Sequence, residues 1–164
     1  MNYFNTINSK IVSKETALEK LTELKKANKN IVFTNGCFDI LHVGHVSYLS
    51  QARDLGDFLI LGLNTDSSVK LLNKAPNRPI NSEINRAKVL AALASVDLIV
   101  LFNEETPLKL IEYLLPTILV KGNDYAIENI VGYDAVIKNG GKVLTLPFIE
   151  GFSTTNIISK INSK

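Results

Sequence analysis

Five short apolar runs alternate with stretches of helical periodicity along this chain, and that alternation restricts its fold more than any other feature. The runs are IVFT (31–34), FLILGLN (58–64), IVLF (99–102), TILVKG (117–122) and VLTL (143–146). Their near-continuous apolar character predicts strands covered on both faces, because a sheet wetted on one side alternates apolar and polar residues instead. Helical patterns fill the gaps: His45 through Tyr48, Leu49 and Ala52 to Leu55, stopped by Gly56; a longer one over about 82–94; KLIEYLL after Pro107; one closed by Asn139, Gly140 and Gly141; and a last one from near Ser153. A further amphipathic helix comes first, with Ser13 as its N-cap and Ala17, Leu21 and Leu24 at i, i+4 and i+7. Strands alternating with helices predict an α/β fold, a parallel sheet with helices on both faces. Residues 1–29 then form an N-terminal helical segment packed on a domain of residues 30–164.

Charge and cysteine usage narrow the function classes. A net charge of +2 over 164 residues, without a dense Lys/Arg stripe, argues against nucleic acid as a partner. The single cysteine, Cys37, has no internal partner for a disulfide, and MNYFNTINSK lacks the apolar core of a secretory signal, which together predict a cytoplasmic protein. The longest apolar stretch, 89–102, is interrupted by Ser95 and Asp97 and is too short to span a bilayer, so no membrane partner is expected.

In open α/β sheets ligands bind beyond the carboxyl ends of the strands. The segments that fall there are 35–45, 64–66, 121–125 and 147–155, and the irregular stretch LNKAPNRPIN (72–81) reads as a functional loop. The first segment holds the only two histidines, His42 and His45, on either side of Gly44. His-x-x-His spacing can present two metal ligands on one helical turn. No third histidine exists, however, and Cys37 would have to fold back across a loop, so no metal site is expected. Satisfaction of local backbone groups is the plain alternative. Gly44 permits close approach of another group, and the unpaired N–H groups of a helix N-terminus favour an anion, so imidazole donors there point to phosphate.

The stretch GCFDILHVGH (36–45) resembles the signature of the cytidylyltransferase-like nucleotidyltransferases, in which G-x-F-D leads into an H-x-G-H motif that holds nucleotide phosphates. LNTD (63–66), RPIN (78–81), NRAKVLAALASVD (85–97), ILVKGNDY (118–125), NGG (139–141) and EGFSTTNIISKI (150–161) extend the resemblance to one subgroup, the adenylyltransferase domains of bacterial ADP-heptose synthases. It covers the chain from about residue 11 onward.

The resemblance implies a Rossmann-like nucleotidyltransferase fold. It also implies transfer of AMP from ATP to D-glycero-β-D-manno-heptose 1-phosphate, giving pyrophosphate and ADP-heptose for lipopolysaccharide core or related glycan synthesis. The nucleophile would be a phosphate oxygen that is already ionised, so no general base is required, and the chain indeed advertises phosphate grips rather than a Ser-His-Asp set. His42, His45 and Lys121 are the catalytic candidates. Cys37, Phe38, Gly44, Arg86, Gly122, Asp124, Tyr125, Ser153, Thr154 and Thr155 are the candidates for the nucleotide, and Asp66, Lys70 and Lys74 for the sugar phosphate. Plain readings stay open beside these: an ordinary N-cap at Ser153, a surface charge at Arg86, a polar turn after Lys121 and a solvated helix charge at Lys70. Mg²⁺ is expected to be carried with ATP.

A homodimer is expected, as is a separate heptose 7-phosphate kinase, since the heptose enzymes often carry a sugar kinase domain ahead of this one and the chain shows none. Related glycerol-phosphate cytidylyltransferases carry R-T-E-G-I-S-T-T, whereas Phe148 and Ile149 precede EGFSTT here. That departure argues against the alternative reading, a cytidylyltransferase acting on an alcohol phosphate such as glycerol 3-phosphate. A non-catalytic nucleotide-binding module is the remaining rival, opposed by the presence of both histidines, the STT segment and Lys121.

Overall fold

The computed structural model describes residues 2–73, 77–123, 126–147 and 151–163. Six strands, β1 (Ile11–Val12), β2 (Ile31–Gly36), β3 (Phe58–Asn64), β4 (Leu98–Phe102), β5 (Ile118–Gly122) and β6 (Lys142–Leu146), form one sheet in the order β1-β4-β3-β2-β5-β6. Every pairing is parallel. The helices are α1 (Tyr3–Ser9), α2 (Lys14–Lys26), α3 (Val43–Asp54), α4 (Asp66–Leu71), α5 (Glu83–Ala91), α6 (Leu108–Leu114), α7 (Tyr133–Lys138) and α8 (Thr154–Asn162).

Successive strand residues point to opposite faces, which is why the apolar runs feed two cores. Phe33, Ile60, Val100 and Leu119 meet Ala17 and Leu21 of α2, Leu110, Ile111 and Leu114 of α6 and Val136 of α7. Their neighbours Val32, Leu59, Leu61, Ile99 and Val120 meet Leu49 and Ala52 of α3 and Ala87, Leu90 and Ala91 of α5. Parallel strands with both faces covered are therefore observed as expected.

Helix starts follow their caps. The Oγ atoms of Ser13, Ser82 and Ser153 accept from the backbone N–H of Thr16, Asn85 and Asn156 respectively. The helix expected over 82–94 stops at Ala91, and beyond it Lys10 Nζ donates to the carbonyls of Leu93 (3.1 Å) and Val96 (2.7 Å). A lysine from a distant segment thus satisfies carbonyls that the helix end leaves without helical partners.

The N-terminal segment holds more than the one helix expected there. It also forms α1 and the edge strand β1, whose Ile11 and Val12 stand in register with Ile99 and Val100. Short α4, capped by Thr65, had no counterpart in the apolar pattern.

Strand β2 pairs with β3 on one side and β5 on the other, so the chain order reverses between β2 and β5. Adjacent loops diverge at such a point and leave a crevice above the carboxyl ends. No helix among the described residues is long and apolar enough to cross a membrane.

Candidate functional site

A cavity of about 530 Å³ opens over the ends of β2 and β5. Its floor is the turn from β2 into α3. Phe38 takes a left-handed backbone conformation there (φ 45°), a strained state for a bulky residue that persists only when its surroundings enforce it. Its ring lies across Gly36, where a Cβ would approach Phe38 Cε2 to 2.7 Å, so glycine makes room for the ring. The ring then meets His45 edge-on, with centroids 5.0 Å apart and planes at 63°.

His42 and His45 stack on each other, centroids 3.7 Å apart and planes at 22°. His42 is the N-cap of α3, and its carbonyl accepts from the N–H of His45 and Val46. A Cβ at Gly44 would come within 3.0 Å of the His42 ring, so this glycine admits the imidazole into the cavity wall. Burial makes protonation costly for both rings. It lowers the pKa of His42, and that of His45 falls to about 4 through burial, the neighbouring His42 and the more distant Arg78 charge, offset in part by the Ile40 backbone. Both rings are neutral at physiological pH, each with one N–H to donate. Their Nδ1 atoms are buried and have no hydrogen-bond partner among the described residues.

The remaining walls come from three other segments. Lys121, on β5, donates from Nζ to Asn35 Oδ1 at 3.0 Å, and Gly122 lines the cavity beside it. Ser153, Thr154 and Thr155 line it at the start of α8. Arg78 closes another side, its Nε 2.5 Å from Asp39 Oδ2. Asp39 is 2% exposed, and its carboxylate also accepts from the N–H of Ile80 (2.9 Å) and Asn81 (2.8 Å) while its carbonyl accepts from Asn81 Nδ2. One buried carboxylate thereby fixes the loop that carries Arg78.

The structure brings most of the sequence candidates together. His42, His45, Lys121, Cys37, Phe38, Gly44, Gly122, Ser153, Thr154 and Thr155 all line this cavity. Arg86 does not, which corrects its expected contact with the nucleotide. It is 2% exposed, and its nitrogens donate to Asn81 O (3.0 Å), Cys37 O (2.7 Å) and Asp66 Oδ1 (2.7 Å). Each of its three nitrogens bonds a protein oxygen, so the fork holds the protein to itself, away from the cavity. Asp66 is correspondingly paired with Arg86, and Lys70 is exposed on α4; neither lines this cavity or the smaller one adjoining it, so the structure does not bring them to the site where the sugar phosphate is expected. Lys74, Asp124, Tyr125, Phe148, Ile149 and Glu150 lie outside the described residues. Sequence reasoning missed Asn35, Asp39 and Arg78, although the last two sit in the quoted GCFD and RPIN segments. No group of three His, Cys, Asp or Glu side chains that could hold a metal ion occurs among the described residues.

A second cavity, about 250 Å³, adjoins the first. The two share Asn35, Gly36, Cys37 and Lys121.

A family model described as cytidylyltransferase-like matches residues 33–160. The chain is 53% identical over 153 residues to the bifunctional protein HldE of Syntrophotalea carbinolica, covering 93% of this chain and 31% of that protein. It is 55% identical over 163 residues to the bifunctional protein HldE of Campylobacter jejuni subsp. doylei, covering 98% and 34% respectively. It thus spans about a third of the length of these curated relatives. Among solved structures it is similar to the lipopolysaccharide core biosynthesis protein of Thermoplasma volcanium, with a TM-score of 0.61 and 29% identity over 74% of this chain and 97% of that one. Pantothenate synthetase of Thermus thermophilus, at 17% identity and a TM-score of 0.58, shares the fold alone.

Proposed function

This chain belongs to the cytidylyltransferase-like family, and on that premise we propose that it transfers the adenylyl group of ATP to D-glycero-β-D-manno-heptose 1-phosphate, forming ADP-heptose and pyrophosphate. The resemblance of its motifs to ADP-heptose synthases and its identity of more than half to bifunctional HldE proteins support this choice of nucleotide and sugar. The observation that carries the chemistry is the stacked pair of neutral imidazoles at the mouth of α3, facing a cavity that Lys121, Arg78 and the start of α8 also line.

In this reading the triphosphate lies across the larger cavity. His42 and His45 donate N–H bonds to its oxygens, and the free N–H groups at the start of α3 and of α8 add positive potential. A phosphate oxygen of the acceptor attacks the α-phosphorus, the new P–O bond forms as the bond to the departing pyrophosphate breaks, and no proton has to move. Donors already in place are worth most at such a step, because charge builds on oxygens that they face in a water-poor site. Neutral imidazoles suit the task, since each enters with its N–H available and no bound anion to displace. Mg²⁺ enters with ATP as part of the substrate and offsets charge on the triphosphate oxygens.

The proposed setting is the cytoplasm, with the enzyme acting as a homodimer. The heptose reaches it after phosphorylation by a heptose 7-phosphate kinase.

Pyrophosphate release with Mg²⁺ and heptose 1-phosphate, measured in parallel with ATP, CTP, GTP and UTP, tests the proposal. ATP-dependent release that falls at least a hundredfold in His45→Ala is the expected result. Release with CTP alone, or equal release from the His45→Ala variant, would overturn it.

A further inference from the structure

The smaller cavity carries charge in an uneven way. Lys121, the only lysine or arginine among its described lining residues, lies on the wall shared with the larger cavity, whereas Glu105, the only carboxylate among them, belongs to the unshared part. Glu105 forms no hydrogen bond or ion pair with any described residue, although the neighbouring Glu104 is held by the N–H of Asn103 and by Lys109. Asn129, on the short turn before α7, and Thr106 also line this part with side chains that no described residue engages, and the buried Asn64 closes its base. Leu72, Pro107, Ile130 and Val131 supply apolar surface between these groups. An unpaired carboxylate beside amides and a hydroxyl, interspersed with apolar faces, matches a polyhydroxylated ring: hydroxyls donate to the carboxylate, and the C–H faces rest on the aliphatic side chains.

Resting on the adenylyl-transfer reading above, we infer that this second cavity is the acceptor subsite and that Glu105 is its specificity determinant, selecting a sugar phosphate whose far end is a neutral polyol. The phosphate of the acceptor points to Lys121 and so to the α-phosphorus in the adjoining cavity. The far end of the sugar donates hydroxyl protons to Glu105. A second phosphate at that end would confront the carboxylate with no cation among the described lining residues to offset it, so a bisphosphorylated sugar is refused. Asp66 and Lys70 take no part.

The test titrates heptose 1-phosphate at saturating Mg-ATP and reads pyrophosphate for the wild type and for Glu105→Gln, Asn129→Ala, Glu105→Lys and Lys70→Ala. Glu105 and Asn129 are both exposed, so the substitutions leave the core intact, and circular dichroism checks this. The expected result is an acceptor KM raised about tenfold or more in Glu105→Gln and Asn129→Ala, as for loss of a hydrogen bond to a charged or buried group, with the KM for ATP unchanged within about twofold. Glu105→Lys should in addition gain inhibition by heptose 1,7-bisphosphate that the wild type lacks. Normal turnover with the acceptor KM unaltered in both Glu105→Gln and Asn129→Ala, or raised in Lys70→Ala instead, would overturn the assignment of this cavity alone. Absence of wild-type turnover would overturn the reaction itself, and the subsite with it.

Discussion

Two arginines eight residues apart, Arg78 and Arg86, reach opposite ends of what a guanidinium can do in a protein. Arg86 is sealed inside, with three protein oxygens at 2.7–3.0 Å, and it ties the turn after β2, the RPIN loop and the start of α4 into one body. Arg78 forms one ion pair, with Asp39, and lines the cavity. The sequence offers the same side chain twice, and the difference lies in how many acceptors surround each. A buried cation held by three protein oxygens builds the site, while one held in a single ion pair at the cavity wall keeps more donors for a ligand.

Removing each arginine should therefore fail in different ways. Arg86→Met leaves the carbonyls of Cys37 and Asn81 and the partly exposed Asp66 carboxylate without their donor, and a buried acceptor left unpaired costs about 1–3 kcal/mol. Urea unfolding should report a loss of that order, with activity falling as the floor of the cavity loosens. Wild-type stability in this variant would break the contrast. Arg78→Ala should show the reverse weighting: kcat/KM lower by about a hundredfold, as for loss of a preorganised donor to a developing anion, with a smaller stability loss than in Arg86→Met. Equal stability losses in the two variants would reduce Arg78 to a second structural arginine.

The sequence could not separate these roles because each depends on partners far along the chain. FLILGLN announces β3 by composition, and Ser13, Ser82 and Ser153 announce helix starts, because those signals are local. The His42 and His45 pair was equally visible, since spacing of three at a helix start puts both rings on one side of the turn. By contrast, Asp39 acts on Ile80 and Asn81, about forty residues away, and nothing within the GCFD segment signals that contact. Edge strand β1 is two residues long, too short for any periodicity to register. Asp66 and Lys70 stand as charges near a strand end, and a carboxylate already paired with a buried arginine looks no different in sequence from a free one.

The histidines extend the comparison to pH. His45 has a pKa of about 4 in the folded protein and the ordinary value of 6.5 when unfolded. Between those values the unfolded chain binds more protons, so stability falls as pH drops from 6.5 toward 4, by at most about 1.4 kcal/mol per pH unit from this group. Above pH 6.5 both states are neutral and the effect vanishes. Wild-type protein should thus lose about 1–2 kcal/mol more than His45→Gln between pH 7 and pH 5, read by denaturant unfolding at each pH. Parallel losses would show that the imidazole is not held neutral by burial.

The smallest effect isolates the two cations from each other. Arg78 is the last and weakest contributor to the low pKa of His45, behind burial and His42, with the Ile40 backbone acting in the opposite sense. Removing its charge should raise the His45 pKa, whereas Arg86, whose charge is matched by Asp66, does not figure among the causes. Following the His45 ring protons by NMR across pH 3–8 in wild type and Arg78→Ala reads this directly. An upward shift ties Arg78 to the same field that a triphosphate would enter, and ATP itself, bringing negative charge beside the ring, should raise the pKa further. A His45 pKa unmoved by Arg78→Ala and by ATP would place both the cation and the triphosphate away from the imidazoles, and the comparison between the two arginines would then lose its functional half.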